Sequence, residues 1–187
     1  MSCLCTQRIA IAASERDLRA VLAKMADNFT AYNKSDCLEG ASESDLSASE
    51  LEEKFSAAAN ETRYIPVAFF GEDPDQYGEE GSSFNLQVEG DIWTLLVTLN
   101  LTRGASELPR AFCTVLDPKK YGWAIGQELE DEDFEVVYQT SEGEVVFFEG
   151  ELQEGDPESL SELVKIAYDQ VAGDDFDDGD WDDFDEF

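Results

Sequence analysis

The chain has 187 residues, enough for a domain with a hydrophobic core, and its hydrophobic content of 42% is typical of a folded protein. It contains 44 Asp and Glu against 12 Lys and Arg, so its net charge is −32. This excess disfavours binding to nucleic acids and to anionic membrane surfaces, which both need cationic side chains, and it favours encounter with basic protein surfaces.

The sequence also lacks the residues of several kinds of active site. There is no His, which excludes Ser-His-Asp and Cys-His nucleophiles, and there is no P-loop or Gly-x-Gly-x-x-Gly motif. The four Cys are too sparse for a disulfide scaffold and wrongly spaced for a zinc site. With no apolar run of membrane-spanning length and no signal peptide, we expect a cytoplasmic protein that is not an enzyme and has neither metal nor cofactor. Two alternatives stay open: an enzyme that uses carboxylates and a divalent metal, and acidity that serves salt adaptation.

The chain opens with a strand followed by a helix. Alternating apolar residues predict a strand over residues 7–13. Ser14 is a typical N-cap, and apolar residues at helical spacing predict a helix over residues 15–32. The next segment, residues 34–46, is rich in Ser, Asp, Glu and Gly, which indicates a loop.

A second helix and an apolar segment follow. Ser47 and Glu50 have the spacing of a capping box and predict a helix over residues 48–59. Residues 63–70 form an apolar run that predicts a strand. We expect that strand at the edge of a sheet, because Pro66 cannot donate a ladder hydrogen bond.

Hairpins dominate the second half of the chain. We expect strands over residues 84–89, 91–102, 134–140 and 145–152. The first pair flanks Gly90, and the second pair is joined by Ser-Glu-Gly-Glu, which is the clearest turn in the sequence. Between these pairs we expect a short helix over residues 121–129. Irregular chain is expected over residues 72–83 and 103–120.

A final helix is indicated near the end of the chain. Pro157 lies at a helix start with Asp156 as its cap, and Gly173 ends the helix. Its buried stripe is formed by Leu160, Leu163, Val164, Ala167, Tyr168 and Val171. Because the strands cluster in hairpins instead of alternating with helices, we expect an α+β fold with a mostly antiparallel sheet. We expect this single domain over residues 1–172 and a flexible tail over residues 173–187.

Two segments of the chain resemble a known family. Cys5, Arg8 and Ile9 precede the first helix, and residues 134–152 read FEVVYQTSEGEVVFFEGEL. In these segments the chain resembles a ferredoxin-like domain family of bacterial plasmid proteins of unknown function. Members usually begin with Trp-Cys-x-Asn-Arg, and here the Trp and the Asn are missing. The resemblance implies a ferredoxin-like arrangement of the sheet.

The acidic tail does not fit a specific calcium site. If Gly179 is position six of an EF-hand loop, Phe176 occupies position three, where Asp or Asn is required. Asp185 then occupies position twelve, where Glu is the usual bidentate ligand. We therefore expect no metal site in this segment.

The tail instead has the composition of a docking peptide. Its last fourteen residues hold nine acids and no base, which leaves −23 of the total charge of −32 on the rest of the chain. Aromatic rings interleaved with these acids expose apolar surface at a cost, which favours docking over plain solvation, although a solvating tail stays the alternative. The tail resembles the acidic, Phe-terminated tail of single-stranded-DNA-binding proteins, which implies recruitment of replication and repair enzymes. Candidate docking residues are Trp181, Asp182, Asp183, Phe184, Asp185, Glu186 and Phe187.

The body of the chain is similar in charge and size to DNA-mimic inhibitors of the anti-CRISPR or anti-restriction type, which phages and mobile elements use. That resemblance implies that carboxylates on a rigid fold imitate DNA phosphates in the basic channel of a nucleic-acid-binding protein. Candidate phosphate-like groups are Glu128, Glu130, Asp131, Glu132, Asp133, Glu149 and Glu151. The alternative is an adapter or immunity-type protein whose tail docks a replication, repair or toxin partner.

Overall fold

The computed structural model describes residues 5–62, 64–71, 83–101, 105–129, 135–149 and 161–172. In this part of the chain the strands are β1 (Cys5–Ser14), β2 (Ser83–Glu89), β3 (Ile92–Leu101), β4 (Tyr121–Leu129), β5 (Glu135–Gln139) and β6 (Val145–Glu149). The helices are α1 (Glu15–Asn33), α2 (Ala48–Ala59), α3 (Ile65–Phe70), α4 (Leu108–Thr114) and α5 (Glu162–Ala172). The expected α+β class is confirmed. None of these helices has the length and apolar character needed to cross a lipid bilayer.

The strands form one antiparallel sheet in the order β2-β3-β1-β4-β5-β6. β1 lies near its centre, with Ile9 opposite Val97 of β3 and Ile125 of β4. The connection after β1 and the connection after β3 both contain helices, and β2 and β3 form a hairpin. This order of the first four strands is that of a split β-α-β, or ferredoxin-like, arrangement. The β5–β6 hairpin extends it beyond β4.

Each face of the sheet carries its own hydrophobic core. The larger core joins one face to the first four helices, and Phe29 of α1 stacks on Phe69 of α3 with ring centroids 5.0 Å apart. The smaller core joins the other face to α5, the helix that packs there among the described residues. There the sheet presents small residues, Ala10, Ala12 and Ala124, and these let the helix approach closely.

The predicted helix caps are confirmed. The Ser14 hydroxyl accepts a hydrogen bond from the Asp17 amide at 3.2 Å, and this bond begins α1. Ser47 and Glu50 form the complete capping box of α2. α1 ends at Lys34, which adopts the left-handed conformation with φ 56° and donates its amide to Thr30.

α2 also covers the outer edge of β2. The Glu52 carboxylate accepts a hydrogen bond from the Leu86 amide at 2.7 Å. The Ser56 hydroxyl donates to the Phe84 carbonyl at 3.4 Å. Side chains of a helix thus satisfy backbone groups of the edge strand that point away from the sheet.

Three predicted elements are wrong. Residues 65–70 form α3 instead of an edge strand, and Pro66 lies in its first turn, where the missing N–H costs nothing. Residues 121–129 form β4 instead of a helix, because this strand lies inside the sheet between β1 and β5. The segment expected to be irregular contains α4, which has Pro109 in its first turn.

The predicted hairpins and the final helix are confirmed within the described residues. Gly90 joins β2 to β3 with φ 61°, and Gly143 lies in the β5–β6 turn with φ 88°. α5 buries Val164, Ala167, Tyr168 and Val171, as the apolar stripe predicts. The predicted start of this helix, with Pro157 and Leu160, lies outside the described residues, and so does the tail.

Candidate functional site

An acidic cleft lies between α1 and the loop that follows it. Its volume is about 350 Å³, which is at the small end of the range for ligand pockets. α1 contributes four residues at the spacing of one helix face, Ala23, Ala26, Asp27 and Thr30. The loop contributes Asp36, Leu38, Glu39, Gly40, Ser42 and Glu43.

Short-range contacts fix the loop against the protein. Leu38 and Ala41 are buried in the larger core. The Glu39 amide donates to the Asp36 carbonyl at 3.0 Å, and the Ala41 amide donates to Leu38 at 3.1 Å. The Ser44 hydroxyl donates to the Ala41 carbonyl at 2.6 Å. The loop therefore holds its carboxylates on a defined scaffold.

Arg19 of α1 ties the end of this loop to the helix. Its guanidinium donates to the carbonyl oxygens of Ser44 at 3.3 Å and Leu46 at 2.7 Å. The same group forms an ion pair with Glu15 at 2.9 Å and stacks over the Trp93 ring, with 4.9 Å to its centroid. The Arg19 side chain thus anchors the end of the loop to α1, and Arg19 is not among the residues that line the cleft.

The described cations do not neutralise the carboxylates of the cleft. Asp27, Asp36, Glu39 and Glu43 are all exposed. In the described part of the chain, the ion pairs are Arg19–Glu15 and Arg110–Glu107, so none of these four acids has a cation at ion-pair distance. Lys34 is close in sequence, but its ammonium donates to the Ala31 carbonyl at 2.7 Å. The cleft therefore keeps a negative potential that attracts cations.

The floor of the cleft differs from its rim. Ala26 and Leu38 are buried, with 5% and 1% of their surface exposed, and Ser42 is buried at 5%. The rim is charged and the floor is apolar with one hydroxyl. Among the described residues, no group of three or more Asp, Glu or Cys side chains is arranged to hold a metal ion.

The buried thiols offer no nucleophile. Burial, together with the negative charge of Glu128, raises the pKa of the Cys5 thiol to about 11. Burial also raises the pKa of the Cys113 thiol, against the opposing charge of Lys24. Both thiols stay protonated at neutral pH and act as small core residues. Cys37 is exposed in the cleft loop, near Glu61.

The acids predicted as phosphate-like groups lie elsewhere. Glu128 is exposed on β4 and pairs in register with Thr6, near the start of β1. α1 begins at the other end of that strand, after Ser14. Glu149 ends β6 and pairs in register with Glu135, but its side chain is outside the described part of the structure. The other candidates, Glu130, Asp131, Glu132, Asp133, Glu151, Trp181, Asp182, Asp183, Phe184, Asp185, Glu186 and Phe187, lie outside the described residues.

Sequence reasoning missed the acidic cleft. The available signal was the loop itself, in which acids alternate with Ser, Gly and the two apolar anchors Leu38 and Ala41. Asp27 and Thr30 are the polar residues of α1 that face it. Comparison with protein-family models, with curated proteins and with solved structures finds no match to this chain.

Proposed function

We propose that the protein is a non-enzymatic, acidic inhibitor that binds a basic surface of a nucleic-acid-binding protein and so acts as a DNA mimic. The observation that supports this proposal best is the acidic cleft, in which one carboxylate of α1 and three of the anchored loop have no cation of the described residues at ion-pair distance. Unpaired carboxylates on an anchored backbone are what a surface needs to replace phosphates against Lys and Arg.

The overall charge favours the same partner. A net charge of −32 raises the rate of encounter with basic surfaces and opposes the approach of nucleic acid. Two cations of the described structure already make other contacts: Arg19 holds the loop, and Lys24 lies over the Phe112 ring, with its ammonium 4.8 Å from the ring centroid. They are therefore used for structure and do not offset the acidic cleft.

The test uses matched charge variants of the full chain. The first variant neutralises the cleft with Asp27→Asn, Asp36→Asn, Glu39→Gln and Glu43→Gln. The second has the same net charge and neutralises four exposed acids elsewhere, with Glu53→Gln, Glu89→Gln, Glu142→Gln and Glu144→Gln. Each protein is immobilised and exposed to a nuclease-treated bacterial lysate, and the captured proteins are identified by mass spectrometry.

We expect the parent and the second variant to capture the same nucleic-acid-binding protein, and added double-stranded DNA to release it. The cleft variant should capture at least tenfold less, because several charge contacts are lost together. Equal capture by both variants would show that the acids of the cleft contribute no more to partner binding than other exposed acids do. A captured partner that DNA does not displace would exclude mimicry.

A further inference from the structure

We propose that the acidic cleft is a socket for one alkylammonium group, the side chain of a lysine on the partner. This inference rests on the proposed function, since it names the chemical group of the basic surface that enters the cleft. Three features of the cleft support the inference: the Ser42 hydroxyl on the floor, the apolar residues beside Ser42, and the carboxylates of the rim.

Ser42 supplies the first argument. The residue is only 5% exposed and lines the cleft, yet its hydroxyl makes no hydrogen bond with any described residue. The hydroxyl oxygen is not among the side-chain atoms that are sealed in the core without a partner, such as Gln7 Oε1 and Asn85 Oδ1. The oxygen is therefore not fully enclosed, and because Ser42 lines the cleft, the hydroxyl is placed to accept a hydrogen bond from a ligand there.

The lining fits an alkyl stem that ends in a positive charge. Ala26 and Leu38 of the floor, together with Ala23, give the cleft an apolar lining along which methylene groups can pack. Exposed carboxylates approach from α1, through Asp27, and from the loop, through Asp36, Glu39 and Glu43. A lysine side chain matches both the apolar lining and the carboxylates, because its methylene groups can pack against the lining while its ammonium lies among the acids.

The arrangement favours an ammonium over a guanidinium or a bare metal ion. An ammonium is a compact charge with three donors that point in separate directions, which suits a small cleft, whereas a guanidinium is a larger planar group that is best matched by paired acceptors such as one carboxylate. A metal ion needs acids gathered closely around one point, and the described residues contain no such group. The cleft also has the volume of a small ligand site.

The experiment is a titration of the ¹⁵N-labelled full chain followed by amide resonances. The probes are n-butylammonium chloride, which reproduces the lysine side chain, and n-propylguanidinium chloride, which reproduces arginine. Sodium chloride at the same ionic strength is the control. We expect saturable shifts at the amides of Gly40 and Ser42 with butylammonium, at millimolar concentration, as befits so small a ligand.

Two hydroxyl variants test the floor of the cleft. Ser42→Ala removes the proposed acceptor and should weaken butylammonium binding about threefold to tenfold, the range for one hydrogen bond. Ser49→Ala, at an exposed position of α2, should bind like the parent. An unchanged amide spectrum away from the loop verifies that each variant is folded.

The outcomes separate this inference from the proposed function. Shifts that grow linearly, match those of sodium, or saturate more tightly with propylguanidinium would overturn the lysine socket, even if a basic partner is captured from lysate. Weakening by Ser49→Ala as large as that by Ser42→Ala would overturn it as well. Saturable butylammonium binding with no captured partner would instead leave the socket standing and remove the inhibitor function.

Discussion

A Cβ atom placed on Gly122 of β4 would overlap the carbonyl carbon of Leu163 in α5. Strand and helix therefore meet backbone to backbone at this point. The closest neighbours on the helix side are main-chain atoms of Leu163 and Val164, which cannot rotate away as a side chain could. The smaller core depends on this contact, because in the described part of the chain α5 is the helix that covers that face of the sheet.

Gly122→Ala should displace α5 and destabilise the protein. Overpacking a filled site costs about 1–3 kcal/mol, and a clash with backbone should reach the upper end of that range. Urea unfolding followed by far-UV circular dichroism measures the free energy of unfolding. Ala57→Ser, at an exposed position of α2, is the control. A Gly122→Ala variant as stable as the parent would show that α5 does not sit this close.

Gln139 links the core to the β5–β6 turn. Its side-chain oxygen accepts a hydrogen bond from the Trp123 indole at 2.9 Å, and its amide donates to the Gly143 carbonyl at 3.1 Å. Gln139→Leu should cost about 1–3 kcal/mol, because it leaves the buried indole N–H without an acceptor. Gln87→Leu, at an exposed position of β2, is the matched control. Urea unfolding and the position of the indole NMR resonance report the loss, and equal stability of both variants would contradict it.

The buried thiols make the protein sensitive to alkali. The folded-state pKa of Cys5 is about 11 against an ordinary 9.0, and that of Cys113 is raised too. The contribution of these thiols to the free energy of unfolding should therefore be constant below pH 9.0 and fall as the pH rises toward 11, where the unfolded chain ionises first.

The double variant Cys5→Ala and Cys113→Ala tests the source of this slope. It should be less stable than the parent at pH 7 because of the lost packing, but its stability should decline less between pH 9.0 and 11. Tyr121, whose pKa is raised mainly by burial, leaves part of the slope in place. Parallel stability curves for the parent and the variant would contradict the assignment to the thiols.

Binding to the partner should be strongly dependent on salt. If carboxylates carry the interface, affinity falls steeply from low to moderate ionic strength as the charges are screened. Calorimetric titration of the captured partner at several salt concentrations measures this slope. Affinity unchanged at about 0.5 M salt, where the Debye length is on the order of 4 Å, would point to an apolar interface.

The aromatic residues of the tail should contribute to docking more than its charges. Replacing Trp181, Phe184 and Phe187 by Ala keeps the net charge at −32 and removes the rings. Buried aromatic anchors outweigh exposed ion pairs, which contribute about 0–1 kcal/mol. The comparison is a variant in which Asp182, Asp183, Asp185 and Glu186 are made neutral. If only the neutralised variant loses affinity for the captured partner, the tail acts by charge.

The sequence predicts elements whose hydrogen bonds are local. Ser14 and Ser47 each contact a residue three positions on, and Gly90 needs a positive φ for its own turn. These signals do not depend on the rest of the chain. They account for the correct starts of α1 and α2 and for the correct position of the β2–β3 hairpin.

Elements that depend on distant partners could not be predicted in this way. β4 carries two buried glycines, and the reason for one of them, Gly122, lies in a helix about forty residues later in the chain. α3 is buried at all six positions, and a continuous apolar run has no period by which to tell a helix from a strand. The cleft depends on Arg19 reaching backbone carbonyl groups, which every residue possesses and no sequence pattern marks.

The cover that α2 places over β2 bears on solubility and self-association. The Phe84 carbonyl and the Leu86 amide point outward from β2, and they are already bonded to Ser56 and Glu52. A second chain can add to this edge only after it displaces those bonds and approaches a strongly anionic surface. Glu52→Ala should therefore open the edge to intermolecular strand pairing and promote aggregation, first at high salt, where repulsion between chains is weakest.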